Sequence, residues 1–427
     1  MTNQTNSSIS AGQPIGYVVG GGLKANLSVR LTVPAHQVQE GGFVVLESGD
    51  WQFYGLVTDL QLASSDPRYA EIPAANRLSA RVTDLLREQT LFTNLEVLPA
   101  LMLERGPEPG LPQYEAWAKA HQNENTPRPL PIKTVPAHHA LARLASAGDV
   151  AEIFGDASQK GFFEIGRTRE QEHPVCINLD KFVQRSSGIF GATGSGKSFL
   201  TRIILAGLIE HNAASVLVFD MHNEYGFDDT ASDTGQAVVG LRSKFPARVR
   251  VVGLGRKSAI RGKTPDFYLE FRESDIQPED VELLAHELNL RDTTATTLDA
   301  LVHSFGPAKW FSEFKAMTIG SVVENEEGKK VPAPDSVAYW ANEAGVNVAA
   351  AEGLRSKLTR VFNRPYIIDS EVQDEGANPL KSIIEALQAG QHVILSFGDY
   401  ESDLDYLLVS NLLTRKIRAA WEESTNA

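Results

Sequence analysis

The stretch GIFGATGSGKSFLTR, residues 188–202, decides the fold of the larger part of this chain. Residues 191–198 within it satisfy the spacing G-x-x-x-x-G-K-S, with a strand-like run, SSGIFG, before them and a helix-like run, KSFLTRIILAGLIEHN, from Lys197 onward. Glycines permit backbone turns that a Cβ would obstruct, so successive N–H groups can converge on phosphate oxygens at the start of a helix. The pattern therefore predicts a nucleotide-binding phosphate loop.

The predicted nucleotide contacts are the loop and the first residues of its helix: Gly191, Ala192, Thr193, Gly194, Ser195, Gly196, Lys197, Ser198 and Phe199. We expect ATP and Mg²⁺ as cofactors, with Lys197 reaching the β and γ phosphates in a catalytic role and the Ser198 hydroxyl binding Mg²⁺. The alternative interpretation is a glycine-rich turn without a ligand.

A second candidate group follows the next apolar strand, SVLVFD, at residues 215–220. If the sheet is parallel, Asp220 ends this strand at the edge that carries the phosphate loop, so we expect Asp220 to act in catalysis by binding Mg²⁺ or its water. Glu224 and His222 come shortly after it, and a carboxylate near the γ-phosphate can orient or deprotonate water. Alternatively, Asp220 caps a helix or turn after the strand, and His222 forms a local hydrogen bond.

Strands alternating with helices predict an α/β fold, a P-loop NTPase core with a RecA-like parallel sheet, over residues 137–427. Residues 276–365 are expected to form a helical insertion, opening with IQPEDVELLAHEL. The buried strand HVILSF (392–397) and the amphipathic helix DLDYLLVSNLLTRKIRAAWEE (403–423) follow.

The first part of the chain has a different character. Short alternating runs separated by Gly, Asp and Pro predict a small β-barrel over residues 13–104, interrupted by a helical piece at 74–89. Residues 105–136 are proline-rich and predict an extended connector. The polar residues 1–12 are expected to be a disordered tail.

Composition limits the function classes. The 427 residues carry a formal charge of −14, which argues against a surface that coats nucleic acid as a whole but permits a local basic groove. The basic residues of 242–263 are candidates for such a groove or for an ordinary solvated face, and so is the set Arg355, Lys357, Arg360 and Arg364. The one cysteine, Cys176, is expected to be a buried small hydrophobe, and no run is long enough to span a membrane, so a cytoplasmic protein is expected.

Together, RSSGIFGATGSGKS and VLVFDMHNEYG resemble the HerA branch of the HerA–FtsK family, hexameric ATPases that pump or unwind double-stranded DNA. That family shows an arginine before the loop strand, then G-x-TGSGKS, and D-x-H-G-E-Y after the following strand. Here Arg185, the loop, Asp220, His222, Glu224 and Tyr225 match, whereas Asn223 replaces the usual glycine and puts the backbone conformation there in doubt. The predicted N-terminal barrel and the helical insertion are also similar to parts of HerA proteins.

The resemblance implies a hexameric ring that hydrolyses ATP and translocates or unwinds double-stranded DNA in repair, end processing or defence, with a nuclease as a possible partner. It implies that Arg185 contacts nucleotide phosphates near a subunit boundary as a catalytic residue. A solvated arginine ahead of a strand is the alternative.

The sequence departs from the family at its end. Members use a later strand that ends in two acidic residues, followed by an arginine finger, and neither occurs after HVILSF. We therefore expect a core truncated at its C-terminus, in a fragment that is poorly soluble alone because a sheet edge stays unpaired. Missing strands from another polypeptide, or nucleotide binding without normal turnover, are alternatives. The other function hypotheses are a nucleotide-gated ring or scaffold and a conjugation or secretion ATPase.

Overall fold

The computed structural model describes residues 12–65, 91–107, 110–120, 128–230, 235–256, 260, 262–370 and 378–426. The chain divides into two compact units, Met1–Ser187 and Gly188–Ala427. The tail expected at 1–12, apart from Gly12, and the helical piece expected at 74–89 lie outside the described residues.

The first unit contains a β-barrel. Its strands are β1 (Pro14–Gly22), β2 (Ala25–Leu31), β3 (Phe43–Ser48), β4 (Trp51–Ser64), β5 (Leu91–Glu104), β6 (Leu130–Pro131) and β7 (Leu141–Leu144). In the described part, the order β2-β1-β7-β3-β4-β5 is closed by antiparallel pairing of β2 with β5, and β6 pairs with β5 at Leu101 and Met102, beyond the residues that pair with β2. Closure leaves no free edge among these six strands.

The barrel extends beyond the boundary expected from sequence. Strand β7 comes from the region expected to belong to the ATPase core, yet it pairs with both β1 and β3. The expected connector also contains a helix, α1 (Tyr114–Ala120), and the short strand β6. A four-residue strand such as β7 carries too little local signal to be assigned to a sheet whose longer strands, β1 to β5, all end at or before Glu104.

Side chains of alternate residues line the two faces of the barrel wall, as a strand period of two requires. Val44 and Leu46 of β3 lie in the barrel core, whereas Val45 between them packs outside with Val150 of helix α2 (Ala147–Phe154). A hairpin of β8 (Phe162–Arg167) and β9 (Pro174–Asn178) and helix α3 (Leu179–Val183) complete the unit. Cys176 in β9 is a free, buried thiol, as predicted.

The second unit is built on a parallel sheet. Its strands are β10 (Leu217–Asp220), β13 (Val249–Leu254), β14 (Phe267–Leu269) and β19 (His392–Ser396), in the order β10-β19-β13-β14. All three pairings are parallel, so the carboxyl ends of these strands share one edge. Asp220 and Ser396, which are partners in the register of β10 and β19, lie at that edge.

Helices cover both faces of this sheet. On one face, Leu205 and Ile209 of α4 (Lys197–His211) pack with Val251 of β13. On the other, Leu404 and Leu408 of α12 (Asp403–Asn426) belong to the cluster that contains alternate residues of β19. The predicted strand HVILSF and the helix after it are confirmed.

The stretch expected to be a helical insertion lies between two short strands that pair in parallel, β15 (Phe271–Arg272) and β18 (Ile367–Ile368). Its helices are α6 (Pro278–Glu282), α7 (Thr294–Phe305), α8 (Trp310–Ala316), α9 (Val337–Glu343) and α10 (Val348–Phe362). It also contains a hairpin that was not expected, formed by β16 (Val322–Glu324) and β17 (Lys330–Pro332). The remaining elements of the unit are β11 (Asp229–Thr230), β12 (Ala237–Val238), α5 (Leu241–Lys244) and α11 (Pro379–Gln388).

The strand expected before the phosphate loop does not form. Within the described range 128–230, residues 184–192 adopt no strand, and the side chain of Phe190 is 93% exposed. A strand needs a neighbour that pairs with its backbone groups, and the described sheet ends at β10. Gly188 and Gly191 weaken the strand preference of this stretch further.

Candidate nucleotide-binding site

The glycine loop has the backbone conformation that its sequence implies. Gly194 and Gly196 have φ of 80° and 88°, in the left-handed region that residues with a Cβ rarely adopt. Helix α4 begins directly afterwards at Lys197, and the N–H of Leu200 donates to the carbonyl of Gly196 at 2.9 Å. Residues 191–196 are exposed, so the loop can receive a ligand at the N-terminus of a 15-residue helix.

Lys197 and Ser195 both donate hydrogen bonds to the backbone carbonyl of Ala192 within the loop. The Lys197 Nζ donates to the carbonyl oxygen of Ala192 at 2.8 Å, and the Ser195 N–H donates to the same oxygen at 3.2 Å. A Cβ added at Gly191 would lie 2.4 Å from the Ser195 Oγ. The lysine is therefore folded back over the loop, with its ammonium group above the residues predicted to hold phosphate.

Asp220 organises a tight turn. Its Oδ1 accepts the N–H of Glu224 at 2.8 Å, and its Oδ2 accepts those of Tyr225 at 2.9 Å and Gly226 at 3.4 Å. The residue is 2% exposed, and this burial raises the pKa of Asp220, whereas the three N–H donors act in the opposite direction. The turn cap considered as an alternative from sequence is thus present, and metal binding by Asp220 stays a prediction.

Asn223 resolves the doubt raised by its departure from the family pattern. Its φ is 57°, in the left-handed region, which asparagine tolerates better than most residues and glycine adopts freely. The backbone therefore has a conformation that the usual glycine also adopts readily. The buried side chain bonds to residues that follow β19, with Nδ2 donating to the Gly398 carbonyl at 3.0 Å.

The other predicted residues of the turn differ in exposure. His222 is exposed, and Glu224 is half-buried with its backbone carbonyl accepting a hydrogen bond from Arg202 of α4. Arg202 was missed from sequence, although its position one turn and a half into the loop helix was a usable signal. It ties the helix that starts at the phosphate loop to the turn that starts at Asp220.

Phe199 and Arg185 are both exposed. Phe199, predicted to contact nucleotide, is 62% exposed beside the loop. Arg185 is exposed near the end of the first unit. Its contact with nucleotide phosphates near a subunit boundary stays a prediction.

Some residues of the first basic set make contacts within the second unit. Arg242 pairs with Asp266 at 2.7 Å, Arg256 pairs with Glu270 at 3.2 Å, and Arg248 donates to carbonyls at the end of α4. Lys257 and Arg261 lie outside the described residues.

In the second set, Arg360 donates to the Glu287 carbonyl at 2.8 Å, and Lys357 donates to that of Asn289. Arg355 donates to the Lys315 carbonyl at 2.5 Å, and Arg364 pairs with the Asp405 carboxylate at 3.0 Å. These contacts favour a structural role for the second set.

Comparison with known families agrees with this geometry. The chain matches the family model described as "Helicase HerA, central domain" over residues 163–417, more than half of its length. The chain belongs to the HerA family. The HerA match covers the phosphate loop, the Asp220 turn and the helical insertion, and it supports an ATPase-type domain that binds nucleotide.

A search of curated proteins found no match to this HerA-family chain. Among the residues that the structure describes, no helix combines the length and apolarity needed to cross a membrane. The same residues contain no group of three or more His, Cys, Asp or Glu side chains arranged to hold a metal ion.

Proposed function

We propose that this chain is an ATP-binding and ATP-hydrolysing ring motor of the HerA kind that translocates or unwinds double-stranded DNA. The observation that carries the proposal is the exposed loop 191–196, with left-handed Gly194 and Gly196, at the start of α4 in a HerA-family chain. We expect the motor to be a hexamer with a RecA-like core, working in the cytoplasm with a nuclease as partner.

Each site residue has a proposed task. Backbone N–H groups of the loop hold the phosphates, and Lys197 leaves the Ala192 carbonyl to bind the β and γ oxygens. Ser198 and Asp220 hold Mg²⁺, directly or through water, which would neutralise charge that develops on the phosphates. Glu224 orients or deprotonates the attacking water, and Arg185 contacts phosphate from a neighbouring subunit.

The residues present fit this cofactor. Phosphate binding needs free N–H groups at a helix start, and the described loop offers an exposed backbone that no side chain fills at Gly194 or Gly196. The Lys197 ammonium group, paired only with a neutral carbonyl among its described contacts, can exchange that partner for an anion with a gain in Coulomb energy.

Duplex DNA provides the test that separates a motor from other ATPases. ATP hydrolysis is measured without DNA, with linear duplex and with closed circular duplex, at two salt concentrations. A motor should hydrolyse ATP faster with duplex, and the stimulation should weaken as salt rises because phosphate contacts release counterions. Equal rates with and without duplex, together with no duplex binding at low salt, would exclude DNA translocation.

A nucleotide-gated ring or scaffold without normal turnover is the second candidate. The hydrogen bonds of Asp220 favour this candidate. The Asp220 carboxylate is buried and already accepts three N–H groups of its own turn, so these partners compete with a metal ion for it. Such a protein should change its oligomeric mass on adding ATP, and the change should persist because the nucleotide is not consumed. Light scattering with simultaneous phosphate release distinguishes the two candidates.

A further inference from the structure

Arg202 lies on the side of α4 that faces the sheet. It comes four residues after Ser198 and three before Leu205, so the three side chains share one face of the helix. Leu205 belongs to the buried cluster that contains Val251 of β13. The sequence of α4 therefore places an arginine between the end of the helix that begins at the phosphate loop and the part that is buried on the sheet.

Both backbone groups of Glu224 are bonded to charged side chains. Its N–H donates to the Asp220 Oδ1 at 2.8 Å, and its carbonyl oxygen accepts a hydrogen bond from Nη2 of the half-buried Arg202. The first bond is made within the turn, whereas the second comes from α4. The backbone of Glu224 is therefore fixed relative to the phosphate-loop helix as well as to its own turn.

The carboxylate of Glu224 is not used to hold the turn. No described residue forms a hydrogen bond or an ion pair with it, although the residue is half-buried. A residue that orients or deprotonates water needs a free carboxylate on a fixed backbone, because a shift of about 1 Å in such a group can lower the rate about 100-fold. Glu224 has this combination.

The bond from Arg202 crosses between two elements. The guanidinium makes no other hydrogen bond in the described part of the chain, and its Nε is buried. A charged donor forms a stronger hydrogen bond than a neutral one. The position of Glu224 thus depends on a helix whose first residues are the predicted phosphate contacts.

We propose that Arg202 is a positioning residue for ATP hydrolysis, which fixes the Glu224 carboxylate relative to the phosphate loop by holding the backbone of Glu224. The inference rests on the proposed function and extends it, because it gives a task to a residue outside the phosphate loop and the Asp220 turn. In this role Arg202 touches neither the nucleotide nor the attacking water. Its loss should therefore slow hydrolysis while leaving the affinity for Mg²⁺-ATP unchanged.

The experiment measures two quantities for the full chain, the affinity for Mg²⁺-ATP by calorimetry and kcat for ATP hydrolysis at saturating ATP. Arg202→Met keeps an apolar stem but removes the donor, and it should lower kcat about 10- to 100-fold while the affinity stays near that of wild type. Arg202→Lys, whose ammonium group can still donate to the carbonyl, should have a kcat between those of Arg202→Met and wild type.

Arg355→Met is the matched control. Arg355 is also half-buried, also donates from Nη2 to a backbone carbonyl, that of Lys315, and also has a buried Nε without a partner in the described part of the chain. It lies on α10 in the helical insertion, so its replacement should remove a similar bond and leave kcat near that of wild type. A loss of kcat in Arg355→Met as large as in Arg202→Met would show a general structural effect and overturn the role of Arg202.

A double mutant tests whether Arg202 acts through Glu224. In a Glu224→Gln background, Arg202→Met should cause no further loss of kcat, because the carboxylate that the arginine positions is gone. Arg202→Lys gives the same comparison if Arg202→Met fails to fold. An unchanged kcat in Arg202→Met, a loss of Mg²⁺-ATP affinity as large as the loss of kcat, or a full further loss in the Glu224→Gln background would overturn this role. A wild-type chain that does not hydrolyse ATP would instead overturn the proposed motor, and this role with it.

Discussion

The side-chain amide of Asn223 is paired with the backbone of Gly398, 175 positions later in the chain. Asn223 Nδ2 donates to the Gly398 carbonyl at 3.0 Å, and its Oδ1 accepts the Gly398 N–H at 3.1 Å. The same Oδ1 accepts the hydroxyl proton of Ser396. These buried bonds join the turn that follows β10 to the segment that follows β19, so one side chain holds together the carboxyl ends of two parallel strands.

Removing this amide should destabilise the second unit. Asn223→Gly keeps the left-handed backbone but leaves the Gly398 groups without partners, at a cost of about 1–3 kcal/mol in the free energy of unfolding. Asn212→Gly is the matched control, because Asn212 is also left-handed, at φ 50°, but exposed at the end of α4. Urea unfolding should show a lower midpoint for Asn223→Gly and a midpoint near wild type for Asn212→Gly; equal midpoints for the two variants would contradict the role of the amide.

Asp280 anchors the last helix to the helical insertion. Its buried carboxylate accepts from Arg415 Nη2 at 2.6 Å, from Asn411 Nδ2 at 2.6 Å and from the N–H of Gln277 at 2.7 Å. Asp280→Ala leaves Arg415 without its acid partner and should cost about 3–5 kcal/mol in the free energy of unfolding.

The matched control for Asp280→Ala lies on α12, the helix that Asp280 anchors. Glu422 pairs with Arg418 at 2.8 Å, but both side chains are exposed. Glu422→Ala should leave the melting temperature near that of wild type, because exposed pairs contribute little. If Asp280→Ala melted no earlier than Glu422→Ala, the anchoring role of Asp280 would be wrong.

His392 should make stability depend on pH. It is 2% exposed at the start of β19, and both ring nitrogens lack a partner among the described residues. Burial, with the nearby positive charge of Arg248, lowers the pKa of His392 below its ordinary value of 6.5. The unfolded chain therefore takes up a proton below about pH 6.5 that the folded chain resists, so stability is retained above that pH and falls as pH decreases below it.

Replacing His392 with leucine should remove this dependence. His392→Leu should raise the free energy of unfolding at pH 7.5 by about 1–3 kcal/mol, since two unpaired polar nitrogens leave the interior. Its loss of stability between pH 7.5 and 5.5 should be smaller than that of wild type. The control is His303→Leu at an exposed position of α7; a pH dependence as steep in His392→Leu as in wild type would rule out His392 as its source.

The sequence-based predictions that the structure supports depend on short runs of adjacent residues. The left-handed glycines of the loop, the helix from Lys197 and the strand that ends at Asp220 each follow from a few adjacent residues. Long apolar or amphipathic runs predicted β19 and α12 for the same reason. Family membership followed from two short motifs that both lie in the matched range.

Contacts between distant residues could not be predicted. The placement of β7 in the barrel depends on partners about one hundred residues earlier, and the bond from Asn223 to Gly398 depends on how two strands are ordered in the sheet. The stretch before the loop has strand-like composition, but composition does not supply a neighbouring strand. The second basic set was ambiguous from sequence because the carbonyls that receive those side chains lie up to 73 residues away.

The central claim is that residues 191–198 bind nucleotide phosphates through the loop and Lys197. The most direct test is the affinity of the chain for Mg²⁺-ATP, measured by calorimetry for wild type, Lys197→Ala and Lys381→Ala, an exposed lysine of the same unit. We expect wild type and Lys381→Ala to bind equally, and Lys197→Ala to bind about 10- to 100-fold more weakly because a charged hydrogen bond to phosphate is lost. Equal affinity of Lys197→Ala and wild type would contradict the account.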